Sequence, residues 1–295
     1  MGVEPDKARL QWGAVSVAEY TPQHRIRDAN LSRRVSTDIS DLVHFRHLIW
    51  YMAMSSLEVE SRGTKLGRSW WVIEPLLLMG VYTLLMDVIF HRGVANLPLI
   101  VLASILAFEF FARSVGRSMV MLQTAHVAMR QVGFPRSVIP LAVTLSEVIR
   151  FVISVIALIA IAAAFGVMPQ PATALVVPFM LMNMLFTLGA SYFFAATGMF
   201  FRDMTKITGY LFFMLFQLGG GMFPLSLAPV GARNVVLSDP LTTFFEGVRA
   251  PVLYGSAPDI PFAVVGGVAL LSVLVLVGGY VYFLRREGSF SKVVL

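Results

Sequence analysis

The sequence predicts an all-α integral membrane protein with six transmembrane helices, and three observations carry that expectation. Of 295 residues, 57% are hydrophobic and only 14% charged, where a soluble domain carries roughly a quarter. Six apolar stretches, 72–90, 97–112, 138–166, 173–200, 207–223 and 261–284, approach the roughly 20 residues that cross a bilayer. Lysine and arginine are segregated by connection. Nineteen of the 23 lie before the first stretch, between 113 and 136, at Arg202 and Lys206, or after residue 284. Only Arg92, Arg233 and Arg249 fall in the opposite connections, with Arg150 inside a stretch. The positive-inside rule then puts both termini in the cytoplasm and the 224–260 segment outside. The net charge of +6 follows this layout, so it is not read as a nucleic-acid surface. With no cysteine and five scattered histidines, neither a disulfide scaffold nor a metal centre is expected.

Residues 1–40 are polar and lack the apolar core of a secretory signal, so a partly disordered cytoplasmic tail is expected. In DLVHFRHLIWYMAMSSLE, 41–58, Leu42, Phe45, Leu48, Ile49, Met52 and Ala53 share one helical face. That pattern, with polar flanks, predicts an amphipathic helix lying in the cytoplasmic interface. ESRGTKLGRSWWVIEPLLL, 60–78, opens the first span. Trp70 and Trp71 stand at the depth of an aromatic belt. Glu74 and Pro75 are expected in the first helical turn, where a carboxylate meets the positive dipole end and a missing N–H costs little. Arg62, Lys65 and Arg68 could attract a phosphate head group or serve as positive-inside anchors.

Charges recur at the spans: Asp87, Glu109, Arg113, Glu147 and Arg150. An unpaired charge at that depth is costly, and Glu147 and Arg150, three apart, are expected to pair on one helix face. Most acids sit near span ends, which argues against a proton-coupled carrier. ARSVGRSMVMLQTAHVAMRQVGFPR, 112–136, predicts a short helix carrying Met119, Leu122, His126 and Met129, stopped by Gly133 and Pro135. Tyr82, Phe108, Phe110, Phe111, Tyr192 and Phe193 are candidates to line a channel, because ring faces stack on sugars. The fifth stretch runs into Gly219-Gly220-Gly221 and Pro224, where a helix should fail. In SDPLTTFFEGVRAPVLYG, 238–255, Ser238 or Asp239 can cap a helix starting at Pro240, with Glu246 and Arg249 three apart on it. This connection is too apolar for a plain loop and predicts re-entrant helices between spans five and six.

Four motifs stand in order: Leu66-Gly67-x-x-Trp70 with Glu74-Pro75-Leu76, Val132-Gly133-Phe134-Pro135-Arg136 with Ile139-Pro140-Leu141, Phe201-Arg202-Asp203, and Asp239-Pro240-Leu241-Thr242 with Glu246 and Arg249. Together they resemble the membrane subunit of type-2 ABC exporters of polysaccharides, the family that handles capsule, O-antigen and teichoic-acid polymers. The resemblance covers roughly residues 41–290 and assigns 41–295 to the family's transmembrane domain. It implies a bacterial inner-membrane homodimer working with two cytoplasmic ATPase subunits that bind ATP and magnesium, and a lipid-linked glycan as cargo. It also implies a coupling region between spans two and three, carried by His126, Arg130, Gly133, Phe134, Pro135 and Arg136. Arg62, Lys65, Arg68, Trp70, Trp71 and Glu74 become a gate for the cargo's head group, and Asp239, Glu246 and Arg249 the external re-entrant element. Two positions depart from the pattern: Ser61-Arg62-Gly63 lacks the aromatic that commonly precedes Leu-Gly, and Asp239 stands where asparagine is common. The chain has no G-x-x-x-x-G-K-[ST] loop, so no catalysis and no cofactor of its own is expected and energy must come from the partner. Two other readings share part of this pattern, a type-2 exporter of drugs or lipids and a membrane-embedded transferase acting on lipid-linked sugars.

Overall fold

The computed structural model describes residues 31–61, 65–89, 96–129, 134–227 and 231–290. Among them no strand occurs, and the order is α1 (Leu31–His44), α2 (Arg46–Ser61), α3 (Trp70–Thr83), α4 (Leu97–Met129), α5 (Val138–Ala164), α6 (Val176–Phe200), α7 (Met204–Leu218), α8 (Arg233–Ser238), α9 (Pro240–Arg249) and α10 (Phe262–Glu287). Among the described residues five segments are long and apolar enough to cross a membrane: Gly67–Met86, Leu97–Thr124, Val138–Ala164, Pro171–Phe200 and Phe262–Glu287. The predicted fifth stretch, 207–223, is α7, with only 15 residues. At about 1.5 Å per residue it reaches roughly 22 Å. It stops where the sequence says it must, at Gly219, and Gly220 takes φ +72° in the reversal.

Helix α4 is the centre of the molecule. Of its most apolar window, 72% is buried inside the protein, against 11% for the first span and 17% for α10. It packs on α3, α5, α6, α7 and α9. The second stretch, expected to end near residue 112 before a separate short helix, instead continues unbroken for 33 residues. Nothing between Ala112 and Met129 breaks a helix: the only glycine, Gly116, is cheap inside a long packed helix, and no proline intervenes. Helices α6 and α10 approach most closely at Gly189 and Gly279. A Cβ on Gly279 would stand 2.1 Å from the Gly189 carbonyl oxygen, so only small residues allow this contact.

The N-terminal expectations need two corrections. Residues 31–40, expected in the disordered tail, form most of α1, and the buried Asp38 accepts a 2.6 Å hydrogen bond from Tyr280 Oη of α10. The amphipathic helix expected over 41–58 is divided at Phe45 between α1 and α2. Its apolar face does turn inward: Ile49 packs with Val138 and Ala142 of α5, beside Leu42, Phe45 and Met52.

Span one also starts earlier than its sequence suggests. A tight turn at Gly67–Ser69 leads into α3 at Trp70, which leaves Pro75 inside the helix rather than in its first turn. A proline there cannot donate to the carbonyl four residues back. That carbonyl belongs to Trp71, and Ser154 Oγ of α5 donates to it instead at 3.3 Å. The lost internal bond thus becomes a cross-link between helices.

Candidate functional site

Four helices bring seven charged side chains together. Helix α4 supplies Glu109, Arg113 and Arg117, spaced by four and therefore stacked on one face. Helix α5 supplies Glu147 and Arg150, α3 supplies Glu74, and α2 supplies Glu60. Arg113 Nη2 lies 2.6 Å from Glu74 Oε2 and 3.4 Å from Glu109 Oε1, and its Nη1 is 3.9 Å from Glu60 Oε1. Arg117 Nη1 donates to Glu60 Oε2 at 3.0 Å and to Glu147 Oε1, while its Nη2 donates to Ser56 Oγ at 2.7 Å. Arg150 donates to Glu60 Oε2, and its Nε stands 3.5 Å from Glu147 Oε2. The Glu147–Arg150 pair expected from spacing is therefore present, within a larger network. Burial alone would raise the Glu60 carboxyl; the hydrogen bond from Arg150 and the charges of Arg150, Arg117 and Arg113 outweigh it and hold Glu60 below the ordinary carboxylate range.

Trp71 closes this cluster. The guanidinium of Arg150 lies 5.4 Å from its ring centroid and that of Arg68 6.0 Å, distances at which a cation is drawn to an indole face. The paired tryptophans part company here: Trp70 is exposed, as a belt residue would be, while Trp71 is buried against α5. Lys65, Arg68 and Glu74 are exposed around them. Arg62 lies outside the described residues.

Residues 134–136, the elbow that leads into α5, fold back onto the C-terminal end of α10. Arg136 N donates to Glu287 Oε1 at 3.1 Å, and Arg136 Nη1 donates to the Glu287 carbonyl at 2.8 Å. Phe290, fully buried, lies beneath the Arg136 guanidinium at 5.8 Å. Tyr192 Oη of α6 donates to the carbonyl of Ser137 at 3.0 Å. Phe134 and Pro135 are packed inward, Phe134 against the apolar clusters that hold Ile139 and Val138. Arg130 and Gly133 lie outside the described residues, and His126 is described only as part of the α4 backbone.

At the opposite end, Arg249 is the anchor. It is buried at 1% exposure, and all five of its N–H groups are used. Nε donates to Ile100 O (3.1 Å), Nη1 to Phe223 O (3.0 Å) and Glu246 Oε1 (3.0 Å), and Nη2 to Gly220 O and Gly221 O (2.8 Å each). The broken backbone after α7, α9 and the start of α4 are thereby held by one side chain. Asp239 caps α9, with Oδ1 accepting from Leu241 N at 2.9 Å. Its Oδ2 is buried without a hydrogen-bond partner, and burial pushes this carboxyl up to about 6.

The candidate channel aromatics are dispersed. Phe110, Phe111 and Tyr192 are buried in the protein interior, Phe110 stacked on Phe151 (5.3 Å), Phe111 tilted against Phe212 (4.7 Å) and Tyr192 edge-on to Tyr280 (5.1 Å). Tyr82 and Phe108 flank Phe216 half-buried, and Phe193 is exposed at 39%. Glu109, the acid a membrane transferase would use, is occupied by Arg113. No cluster of potential metal ligands occurs among the described residues. Glu60 and Arg117 were the functional-looking residues that spacing missed, although Glu109-x3-Arg113-x3-Arg117 was a readable signal.

Residues 47–253 match the family described as ABC-2 type transporter. This chain belongs to the ABC-2 type transporter family. The ABC-2 chain is also 27% identical over 252 residues to the O-antigen export system permease protein RfbA of Myxococcus xanthus, covering 84% of this chain and 96% of that relative. A Klebsiella pneumoniae protein of the same description is 19% identical over 248 residues, covering 84% and 95%. A second Klebsiella pneumoniae relative so described is 22% identical over 209 residues, covering 70% and 81%. In an ABC-2 chain, helices of this length and apolarity make a multi-pass membrane subunit.

Proposed function

We propose that this chain is the permease subunit of an ATP-driven exporter that moves a lipid-linked polysaccharide, of the O-antigen class, from the cytoplasm across the bacterial inner membrane. One observation carries the reading: similarity to O-antigen export permeases runs over 84% of this chain and 96% of one such relative, so the likeness is to a whole permease and not to a shared fragment. Two copies form the pathway between them, and two cytoplasmic ATPase subunits, which hold ATP and magnesium, drive it. Six crossings with both termini cytoplasmic fit the lysine and arginine bias, with α7 as the short fifth crossing, α8 and α9 as re-entrant helices, and α2 as the interface helix.

In this arrangement the α4–α5 connection, with His126, Arg130, Gly133, Phe134, Pro135 and Arg136, receives the ATPase stroke. Arg62, Lys65 and Arg68 meet the phosphate head group of the cargo, beside Trp70, Trp71 and Glu74. The test is co-expression with a cytoplasmic ABC ATPase subunit from the same organism, followed by purification and measurement of ATP hydrolysis and of glycan on the outer face. A stable complex whose hydrolysis supports glycan appearance is the expected result. If no ATPase associates, or if the complex hydrolyses ATP while glycan export is intact without the permease, the proposal is overturned.

A further inference from the structure

One arm of the ion-pair network is open to exchange. Arg113 Nη2 is shared between Glu109, four residues earlier on α4, at 3.4 Å and Glu74 of α3 at 2.6 Å. The two carboxylates differ in freedom: the Glu109 side chain is 16% exposed and that of Glu74 49%. Glu74 also stands on the span with the least burial, 11% of its most apolar window. It can turn away without unpacking the protein, while Glu109 keeps the guanidinium in place. Arg113 Nη1 has only the 3.9 Å contact with Glu60 Oε1, too long for a hydrogen bond. Once Glu74 leaves, Nη1 and Nη2 together form the fork that holds two oxygens of one phosphate.

The surface beside Glu74 selects what carries that phosphate. Leu77, Leu78, Val81 and Leu84 follow it at helical spacing, and all four are exposed. One face of the first span therefore begins with an acid and continues as an apolar stripe. From Glu74 to Leu84 is ten residues, about 15 Å, or half of a hydrocarbon core of roughly 30 Å. On the other side of Glu74, before the span, Lys65 and Arg68 are exposed, with the Arg68 guanidinium 6.0 Å from the Trp71 ring centroid. Cations at the membrane surface, followed inward by an apolar stripe one leaflet long, fit a phosphate borne on a lipid chain.

Charge separates cargo from ordinary phospholipid. A phosphate monoester carries about −1.5 to −2 charges near neutral pH, more than the single charge of the Glu74 carboxylate, so it outcompetes Glu74 for Arg113. A phospholipid diester carries no more charge than the carboxylate already in place and gains nothing by the exchange. We infer that the phosphate of a lipid-linked cargo displaces Glu74 from Arg113, with its chain along Leu77, Leu78, Val81 and Leu84, so that Glu74 is a latch on an inner phosphate seat. The inference rests on the exporter reading proposed above and adds Arg113 to the head-group residues named there.

The test is equilibrium binding of radiolabelled farnesyl phosphate to the purified full-length protein in detergent, with Tm recorded for each variant. Glu74→Gln keeps the size of the latch and removes its charge, so it should bind the probe about tenfold more tightly than wild type, the scale of one charge-assisted hydrogen bond. Arg113→Gln should bind it at least about tenfold more weakly. A merely structural ion pair gives a different pattern: Glu74→Gln lowers Tm and leaves affinity unchanged, which would overturn the latch. Farnesol binding as tightly as farnesyl phosphate, or phosphatidylglycerol displacing the probe at equal concentration, would overturn the phosphate selection. The double variant Lys65→Gln, Arg68→Gln separates this inference from the reading beneath it. If that variant loses affinity while Glu74→Gln changes nothing, the outer head-group site stands and the latch fails; if wild type binds no farnesyl phosphate, both fail.

Discussion

Asp239 ought to set the pH response of the external end. Its Oδ1 caps α9, but its Oδ2 is buried without a partner in the space that a Cβ on Gly219 would need. Burial raises the carboxyl from 3.8 to about 6, and the bond from Leu241 N only partly opposes this. A carboxyl whose folded value lies above its unfolded one holds its proton more tightly when folded. Its contribution is therefore fully present below pH 3.8 and is lost as pH rises through about 6. At about 1.4 kcal/mol per unit the gap amounts to at most about 3 kcal/mol of destabilisation at pH 7.5. Asp239→Asn keeps the cap, since asparagine is as good at that position, and removes the charge. The variant should be more stable than wild type at pH 7.5, by about 4–6 °C in Tm at about 2 °C per kcal/mol, and equal to it at pH 4. Tm is read by tryptophan fluorescence in detergent at pH 4, 6 and 7.5. Parallel curves for wild type and Asp239→Asn would refute the reasoning, because the carboxylate would then carry no burial penalty.

Three further outcomes follow from the packing. Gly279→Ala drives a methyl to 2.1 Å from the Gly189 carbonyl and should cost about 1–3 kcal/mol as overpacking, seen as a lowered Tm; Gly278→Ala, with nothing within 4 Å, should leave Tm unchanged. Arg249→Met strands Glu246 and four backbone carbonyls, so a loss of about 3–5 kcal/mol should appear as aggregated protein in size exclusion, with Arg249→Lys no rescue because an ammonium cannot span five acceptors. Glu287→Gln weakens the bond that Arg136 N donates to its side chain by about 1 kcal/mol; on the proposed function it should lower glycan export per ATP hydrolysed in the reconstituted complex while the ATPase stays bound.

Much of the fold was legible because its signals are local. Asp239 and Pro240 announce the start of α9, and Gly219 the end of α7, through backbone chemistry that needs no partner. The extension of α4 to Met129 is hidden in the sequence because polarity marks the end of a span and not the end of a helix. In fact Arg113 and Arg117 continue the helix because Glu60, Glu74 and Glu147 neutralise them. Those partners lie between 30 and 57 residues away in sequence, beyond any periodicity. For the same reason the aromatics were visible as a set but not as separate packing contacts: Phe111 and Phe212 meet at 4.7 Å only once α4 and α7 are side by side.

These charge contacts also constrain how such a permease could move. Parting an ion pair inside the protein leaves each charge without its partner, so motions that keep the pairs are favoured over motions that part them. At one end α4 is tied to α9 and the α7 break through Arg249; at the other it is tied to α2, α3 and α5 through Arg113 and Arg117. A force applied to the elbow therefore reaches α5 directly and α4 through Glu147, while Glu287 passes it to α10. Helix α10 in turn meets α6 across bare glycine backbone at Gly189 and Gly279 and is interlocked with it by the rings of Tyr192, Tyr280 and Phe283, so the two helices move together. Movement of α4 as one body with α2, α3, α5 and α9 is thus the rearrangement that breaks the fewest of the bonds described.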